Sequence, residues 1–260
     1  MAHVAHIGVH PVKALDRIEV DAARITDGGT LEHDRLYALV TADGRAINGI
    51  EHDGIHDVRA SFDFEREVLT VAADGDERRF DLPAESAAAA SWFGDLLGVT
   101  VALERDAAGG FVSRPEAGPS VVSTATLEEV ASWFDGMSVP DLRRRIRVNV
   151  EVGGVPAFWE DQFVGADAPA FEAGGIRFEG VEPCARCVIP GRDPDTGEAY
   201  EGFRETFLER REETFPEWAD FDAFEHYFRL MLIASVPGDD RGRTLRVGDE
   251  VEVVGTPRTA

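Results

Sequence analysis

Cys184 and Cys187 are the two thiols of the chain, and they stand in a Cys-x-x-Cys spacing. Ahead of them Gly175-Ile-Arg-Phe-Glu-Gly-Val-Glu182 alternates like a half-buried strand. Behind them Asp193-Pro-Asp-Thr-Gly197 gathers turn-forming residues. This pattern predicts a thiol loop hung between a strand and a tight turn, where a scaffold aims reactive groups at a pocket. Four chemistries compete for it. Structural zinc needs four ligands, and the 7 histidines offer no second half-site; His52 and His56 have a ligand spacing but lie in a polar Gly/Asp stretch. A thioredoxin-like dithiol opens a helix after its strand, whereas Val188-Ile-Pro190 follows here and proline opposes such a helix. The third reading is one thiolate, Cys187, on a soft transition metal, with Cys184 as neighbour. In the fourth, both are buried small hydrophobes.

Cations and hydroxyls elsewhere in the chain point to an anion. Lysine is nearly excluded from this composition: Lys13 is the single lysine among 26 basic residues. It stands in His10-Pro-Val-Lys-Ala-Leu15, placed as a point charge for a phosphate or as a surviving surface residue. Period two over Asp141–Val152 predicts a strand with Arg145, Arg147 and Asn149 on one face and Ile146, Val148 and Val150 on the other. In an acidic protein that row reads as an anion-binding wall, with an ordinary ion-pair network as the alternative. Thr126 with Glu129 forms a capping box that starts a helix running to about Phe134. Ser123 and Thr124, just ahead of it, add hydroxyl donors where helix N–H groups suit phosphate; a plain capping segment is the other reading. A nucleophile elbow, a Walker loop and a His-Glu-x-x-His helix are absent, and Asp193-x-Asp does not continue as a calcium loop.

The elements that must position these groups are mainly strands. His3–His10, Arg17–Val20, Leu36–Thr41, Val58–Phe64, Glu67–Ala72 and Glu77–Leu82 alternate as short strands, with Ala73-Asp-Gly-Asp76 as a hairpin turn. Such a meander predicts a small β-barrel or sandwich. A helix from Pro83 to about Gly98 carries Trp92, Phe93, Leu96 and Leu97 toward the core, and Val99–Glu104 is another strand. The Gly/Pro loop Asp106–Gly118 is the expected seam between domains over residues 1–110 and 111–258. Ala157–Phe163 is expected as a β-hairpin edge, Gly202–Glu213 and Asp220–Tyr227 as helices, Leu230–Val236 as a buried strand, and Arg243–Val254 as a closing strand pair.

Composition narrows the setting. At 260 residues and 43% hydrophobic content the chain is globular, with a sizeable core. No apolar run of membrane length and no signal pattern occur, which predicts a cytoplasmic protein with no membrane partner. A net charge of −24 repels nucleic acid and anionic membranes. It also fits a halophilic, haloarchaeal source, where salt screens the self-repulsion.

Pro183-Cys-Ala-Arg-Cys-Val-Ile-Pro190 with Asp193-Pro-Asp-Thr-Gly197 resembles the MOSC domain, the molybdenum cofactor sulfurase C-terminal family, whose Arg-Cys pair falls on Arg186-Cys187. Pro11-Val-Lys-Ala-Leu15, Asp34-Arg-Leu-Tyr37, Val122-Ser-Thr-Ala-Thr126, Arg147-Val-Asn149 and Ala157-Phe-Trp-Glu-Asp161 match further segments of that family in its order, over about residues 4 to 255. Three positions depart from its pattern: Val148 for proline, Tyr37 for tryptophan, and Gly191-Arg192 for Thr-Val. The last departure sits beside the proposed metal site and touches substrate preference.

The resemblance implies a fold, a cofactor and a reaction. The fold is mainly β (α+β), a MOSC-type barrel with peripheral helices plus an N-terminal small β-barrel. The cofactor is molybdenum cofactor, with Cys187 as metal ligand and catalytic residue; pyridoxal phosphate binding is also associated with the family. Lys13, Arg35 and Arg147 fall on cofactor-contacting positions, Ser123, Thr124 and Asn149 on hydrogen-bonding ones, and Arg145 and Arg186 join them. Likeness to the amidoxime-reducing component proteins implies reduction of N-hydroxylated small molecules, amidoximes and hydroxylamines among them. A separate ferredoxin, flavoprotein or cytochrome would supply electrons. Sulfur transfer through a Cys187 persulfide, or cofactor carriage without catalysis, are the alternatives.

Overall fold

The alternation in the first third of the chain does form strands. The computed structural model describes residues 1–112 and 118–255. It begins with β1 (His3–Val9), β2 (Ile18–Val20), β3 (Ala22–Arg24) and β4 (Tyr37–Thr41), followed by the meander β5 (Arg59–Asp63), β6 (Val68–Ala73) and β7 (Asp76–Asp81). Asp74 and Gly75 both take positive φ, 53° and 79°, which is the two-residue hairpin turn their types favour. Helix α1 (Ser86–Leu97) stops where Gly98 turns left-handed, and β8 (Val101–Arg105) pairs antiparallel with β4. Phe93 is fully buried against Leu39, Val71 and Phe80, so the helix's aromatic face is core.

The second half supplies β9 (Ser120–Ser123), α2 (Thr124–Ser132), α3 (Val139–Ile146) and β10 (Val150–Gly153). Then come β11 (Ala170–Ala173), β12 (Ile176–Ala185), α4 (Phe203–Glu213), the single turn α5 (Phe221–Phe224) and β13 (Arg229–Ser235). Strands β14 (Thr244–Arg246) and β15 (Val251–Val254) end the described chain. One sheet runs β15-β11-β12-β13-β9-β10-β1-β2, antiparallel except where β9 meets β10. The first strand is therefore built into the sheet of the second half, with Ile7 opposite Val150, and β3 pairs β14. Val4, Ile7 and Ile25 accordingly share a core with Phe163, Phe171 and Leu232, while a separate core holds Val12 to Leu103. Residues 113–117 of the expected seam lie outside the described residues. The mainly β, α+β class read from the sequence is the one observed, and no helix among the described residues is long and apolar enough to cross a membrane.

Five local expectations are corrected. Residues 141–146 are helical, not strand: Ser138 Oγ accepts from Asp141 N at 3.2 Å, Pro140 fits the first turn, and the arginines favour helix. That helix ends on Arg147 in the left-handed region, φ 58°, so Arg145, Arg147 and Asn149 do not share a strand face. Helix α2 is capped by Ser123, whose Oγ accepts from Thr126 N at 3.0 Å, three residues before the expected start. Thr126 is inside the helix, where its hydroxyl accepts from Phe158 N at 2.6 Å. Trp159–Phe163 is a 3-10 turn, entered through Phe158 at φ 62°, rather than a hairpin edge. The helix expected over 220–227 is only the one turn of α5, and β14 and β15 pair with β3 and β11 instead of each other.

Gly180 on β12 lies against that 3-10 turn so closely that a Cβ would sit 1.8 Å from the Phe163 carbonyl oxygen. Backbone must move to admit one. Gly180→Ala is expected to lower stability by about 1–3 kcal/mol, read as a lower urea midpoint.

Candidate functional site

Strand β12 decides the fate of the two thiols. Its pairing with β13 shifts between Pro183 and Ala185, and Arg186 N then donates to the Phe228 carbonyl at 3.0 Å. Cys184 stays in the strand and is buried; Cys187 has left the sheet and is exposed. Arg186 fixes this exit, its guanidinium donating to the Ile146 carbonyl at 3.1 Å and to Cys184 Sγ at 3.3 Å. The turn after Pro190 is closed by Asp193, whose carboxylate accepts from Asp195 N and Thr196 N at 2.9 and 3.0 Å.

Arginines from distant elements clamp this loop. Arg145 of α3 donates to the Arg192 carbonyl and pairs with Asp141 and Asp193. Arg144 holds Asp195 through two bonds, at 2.8 and 3.0 Å. Arg59 of β5 donates to the Pro194 carbonyl at 3.0 Å, and Asp53 pairs with Arg192 at 2.9 Å. Both halves of the chain thus hold the segment after Cys187. Arg145→Met, which keeps the stem and removes the charge, is expected to destabilise the fold by about 2 kcal/mol. Hydrogen exchange over residues 189–197 should accelerate more than in β6, which marks loosening of this loop rather than general loss of stability.

Cys187 lies where two cavities meet, one of about 260 Å³ and one of about 420 Å³. Arg35 and Arg147 line both with it; Lys13 lines the first, and Asn149, Cys184 and Arg186 the second. Three local backbone features aim these cations. Lys13 N donates to the Tyr37 carbonyl at 2.8 Å, Arg35 is left-handed at φ 54°, and Arg147 is the left-handed cap of α3. Arg147 Nη1 donates to the Leu15 carbonyl at 2.8 Å, and among the described residues neither it nor Lys13 has a carboxylate within salt-bridge distance. Burial, then Arg35, pushes Arg147 down to about 10, and burial with Arg35 and Arg147 lowers Lys13. Burial alone would raise Asp34; the Arg35 guanidinium and His10 hold it well below its usual range instead. Mutually repelling cations in a shell of net charge −24 mark a place that an anion relieves.

The expected site residues divide into two groups. Cys187, Lys13, Arg35, Arg147, Asn149, Arg145 and Arg186 are brought together. Within that group, Arg145 is spent on the loop and the Asn149 amide braces Ser120 and the Gly8 carbonyl. Ser123 and Thr124 are not there, which corrects the phosphate role read at their helix start. Ser123 is fully buried and donates to the Pro156 carbonyl, while Thr124 donates to Glu151 and faces a separate cavity with His3 and His6. The cause is β9: it starts at the larger cavity with Ser120 and by Ser123 has run roughly 10 Å along the sheet. Sequence reasoning missed Asn48, His56, Arg59 and Arg144 on the smaller cavity. They arrive through contacts between distant segments and carry no local pattern.

The MOSC N-terminal beta barrel domain model matches residues 1–113 and the MOSC domain model residues 113–252. The chain belongs to the MOSC family. No curated protein matches it. MOSC domains occur in molybdenum cofactor sulfurase-like proteins, and the family is associated with that cofactor. The residues present fit such a group. Among the described residues no cluster of three His, Cys, Asp or Glu could hold a bare ion, whereas one exposed thiol beside unpaired cations suits a metal that arrives with its own sulfur ligands and an anionic tail.

Proposed function

We propose that this chain binds molybdenum cofactor through Cys187 and reduces N-hydroxylated small molecules. The observation that carries the reading is the exposed Cys187 thiol at the junction of two cavities, under Lys13, Arg35 and Arg147. A thiolate is the soft ligand molybdenum requires. Lys13 and Arg147 hold the anionic tail, with Arg35 between them, and Asn149 keeps β1 and β9 fixed behind that wall. Arg186 sets the position of Cys187 by tying its loop to Ile146. Bound there, the cofactor supplies the two-electron redox chemistry. The balance is an N–OH group, two electrons and two protons giving N–H and water, with electrons from a separate ferredoxin, flavoprotein or cytochrome in the cytoplasm. The test is metal analysis of protein from a cofactor-competent host, joined to turnover of benzamidoxime with reduced viologen. About one molybdenum per chain with turnover supports the reading; turnover without metal sinks it.

The exposure of Cys187 also favours a second reading, sulfur transfer through its persulfide. A persulfide-selective alkylating reagent that labels Cys187 in metal-free protein would favour it.

A further inference from the structure

The smaller cavity carries more positive charge than a phosphate tail uses. Among the described residues, seven arginines and Lys13 line it, against the single carboxylate of Asp16. Most of those arginines are committed: Arg17 pairs with Glu19 and Arg35 with Asp34, and Arg59, Arg144 and Arg145 are held by Asp16, Asp195, Asp141 and Asp193 and by loop carbonyls. Arg192 differs. Its acid partner is Asp53, whose side chain is 70% exposed, while Arg192 itself is 25% exposed, and its Nη1 also donates to the Gly197 carbonyl at a long 3.4 Å. An ion pair so open to water adds little to the clamp that Arg59, Arg144 and Arg145 already make, so exchanging Asp53 for another carboxylate sacrifices little. The same cavity, which Arg192 and Cys187 both line, also carries the apolar side chains of Ile47, Ile50 and Ile189. A volume of about 260 Å³ exceeds the roughly 150 Å³ that accepts benzene, so the part not taken by the tail at Lys13 and Arg147 suits a single small ring.

We propose that Arg192 selects N-hydroxylated substrates that carry a carboxylate on a small apolar body, the carboxylate taking the place of Asp53. The inference rests on the reading that Cys187 holds the reacting metal. A guanidinium meets a carboxylate through two parallel bonds, which gives direction as well as charge. The body then lies along Ile47, Ile50 and Ile189, with its N–OH end toward Cys187.

The test titrates oxidised holoprotein, without reductant, with 4-carboxybenzamidoxime and with benzamidoxime, and then compares their KM values under reduced viologen. The carboxylated compound is expected to bind about tenfold more tightly, as one charge-assisted hydrogen bond would give. Arg192→Ala should erase that difference, bringing the carboxylated compound to the affinity of the neutral one. Asp53→Asn, which frees Arg192, should widen it. Equal affinities in the wild-type chain overturn the inference, as does an Arg192→Ala variant that loses both compounds alike, or a gap that Asp53→Asn leaves unwidened. If both compounds turn over with one KM, N-hydroxy reduction stands and this selectivity falls. If neither turns over and molybdenum is absent, the titration still decides: a carboxylate preference erased by Arg192→Ala supports the anion site, and no preference overturns it.

Discussion

Cys187→Ser protein, purified from a host that makes molybdenum cofactor, is expected to retain less than about a tenth of the wild-type molybdenum, while Cys184→Ser retains most of it. Loss of an orienting neighbour alone weakens metal sites about 10–100-fold, and loss of the ligand itself does more. The asymmetry follows from position. Cys187 stands free of the sheet on the wall of both cavities; Cys184 is 7% exposed, inside β12, lines only the larger cavity, and its sulfur meets the Arg186 guanidinium and its own neighbour's carbonyl. Serine at 184 keeps the strand and loses packing worth about 1 kcal/mol. Metal analysis beside a melting curve separates the two effects. Equal metal loss in both variants would mean that the pair acts as a dithiol, and the single-thiolate reading would be abandoned.

The second large effect lies away from the cavities. Arg211 of α4 is 1% exposed, pairs with Asp161, and has its guanidinium carbon 4.2 Å from the Phe158 ring centre and 4.9 Å from that of Phe215. Arg211→Met strands a buried carboxylate and is expected to destabilise by about 3–5 kcal/mol, with Asp161→Leu added to it restoring part of the loss. Next to this pair, burial and then Asp161 push Glu160 up to about 8. Its Oε2 accepts from Ser123 N and Thr126 Oγ1, and Oε1 has no hydrogen-bond partner among the described residues. In the unfolded chain this acid titrates near pH ~4.3. A raised folded value means stability that is full below the unfolded one and is lost as pH climbs toward about 8. Melting temperatures at pH 5 and 8.5 should therefore fall further apart in the wild type than in Glu160→Gln, whose neutral amide keeps the same shape. An unchanged pH gap would show that Glu160 is not the group responsible.

Much of this molecule is written locally. Period-two alternation placed β4 to β8 close to their observed bounds because these strands all pack on one core, which β4 meets with both of its faces buried. The strand and turn flanking the cysteines were readable for the same reason, but β12 runs on to Ala185, so only Cys187 and not Cys184 stands on the expected loop. The arginine run at 143–147 misled because Ile146, Val148 and Val150 alternate across a helix end. Ser138 and Pro140 were the cap that decides the matter. Ser123 and Thr126 both satisfy helix-cap chemistry, and only tertiary bonds from Phe158 and Glu160 choose between them. The clamp of Arg59 and Arg144 on Asp195 joins residues 136 and 51 apart in sequence. No window of residues contains such pairs, so this part of the site becomes legible only in three dimensions.

The place of β1 has a consequence for how the chain is made. It leaves the ribosome well before its partner β10, which follows more than a hundred residues later, Ile7 meeting Val150. At about 5–20 residues per second the nascent strand waits on the order of ten seconds with an unsatisfied edge. A gene cut at the boundary between the two family matches would deliver a second half lacking this strand, with β10 left bare on one side.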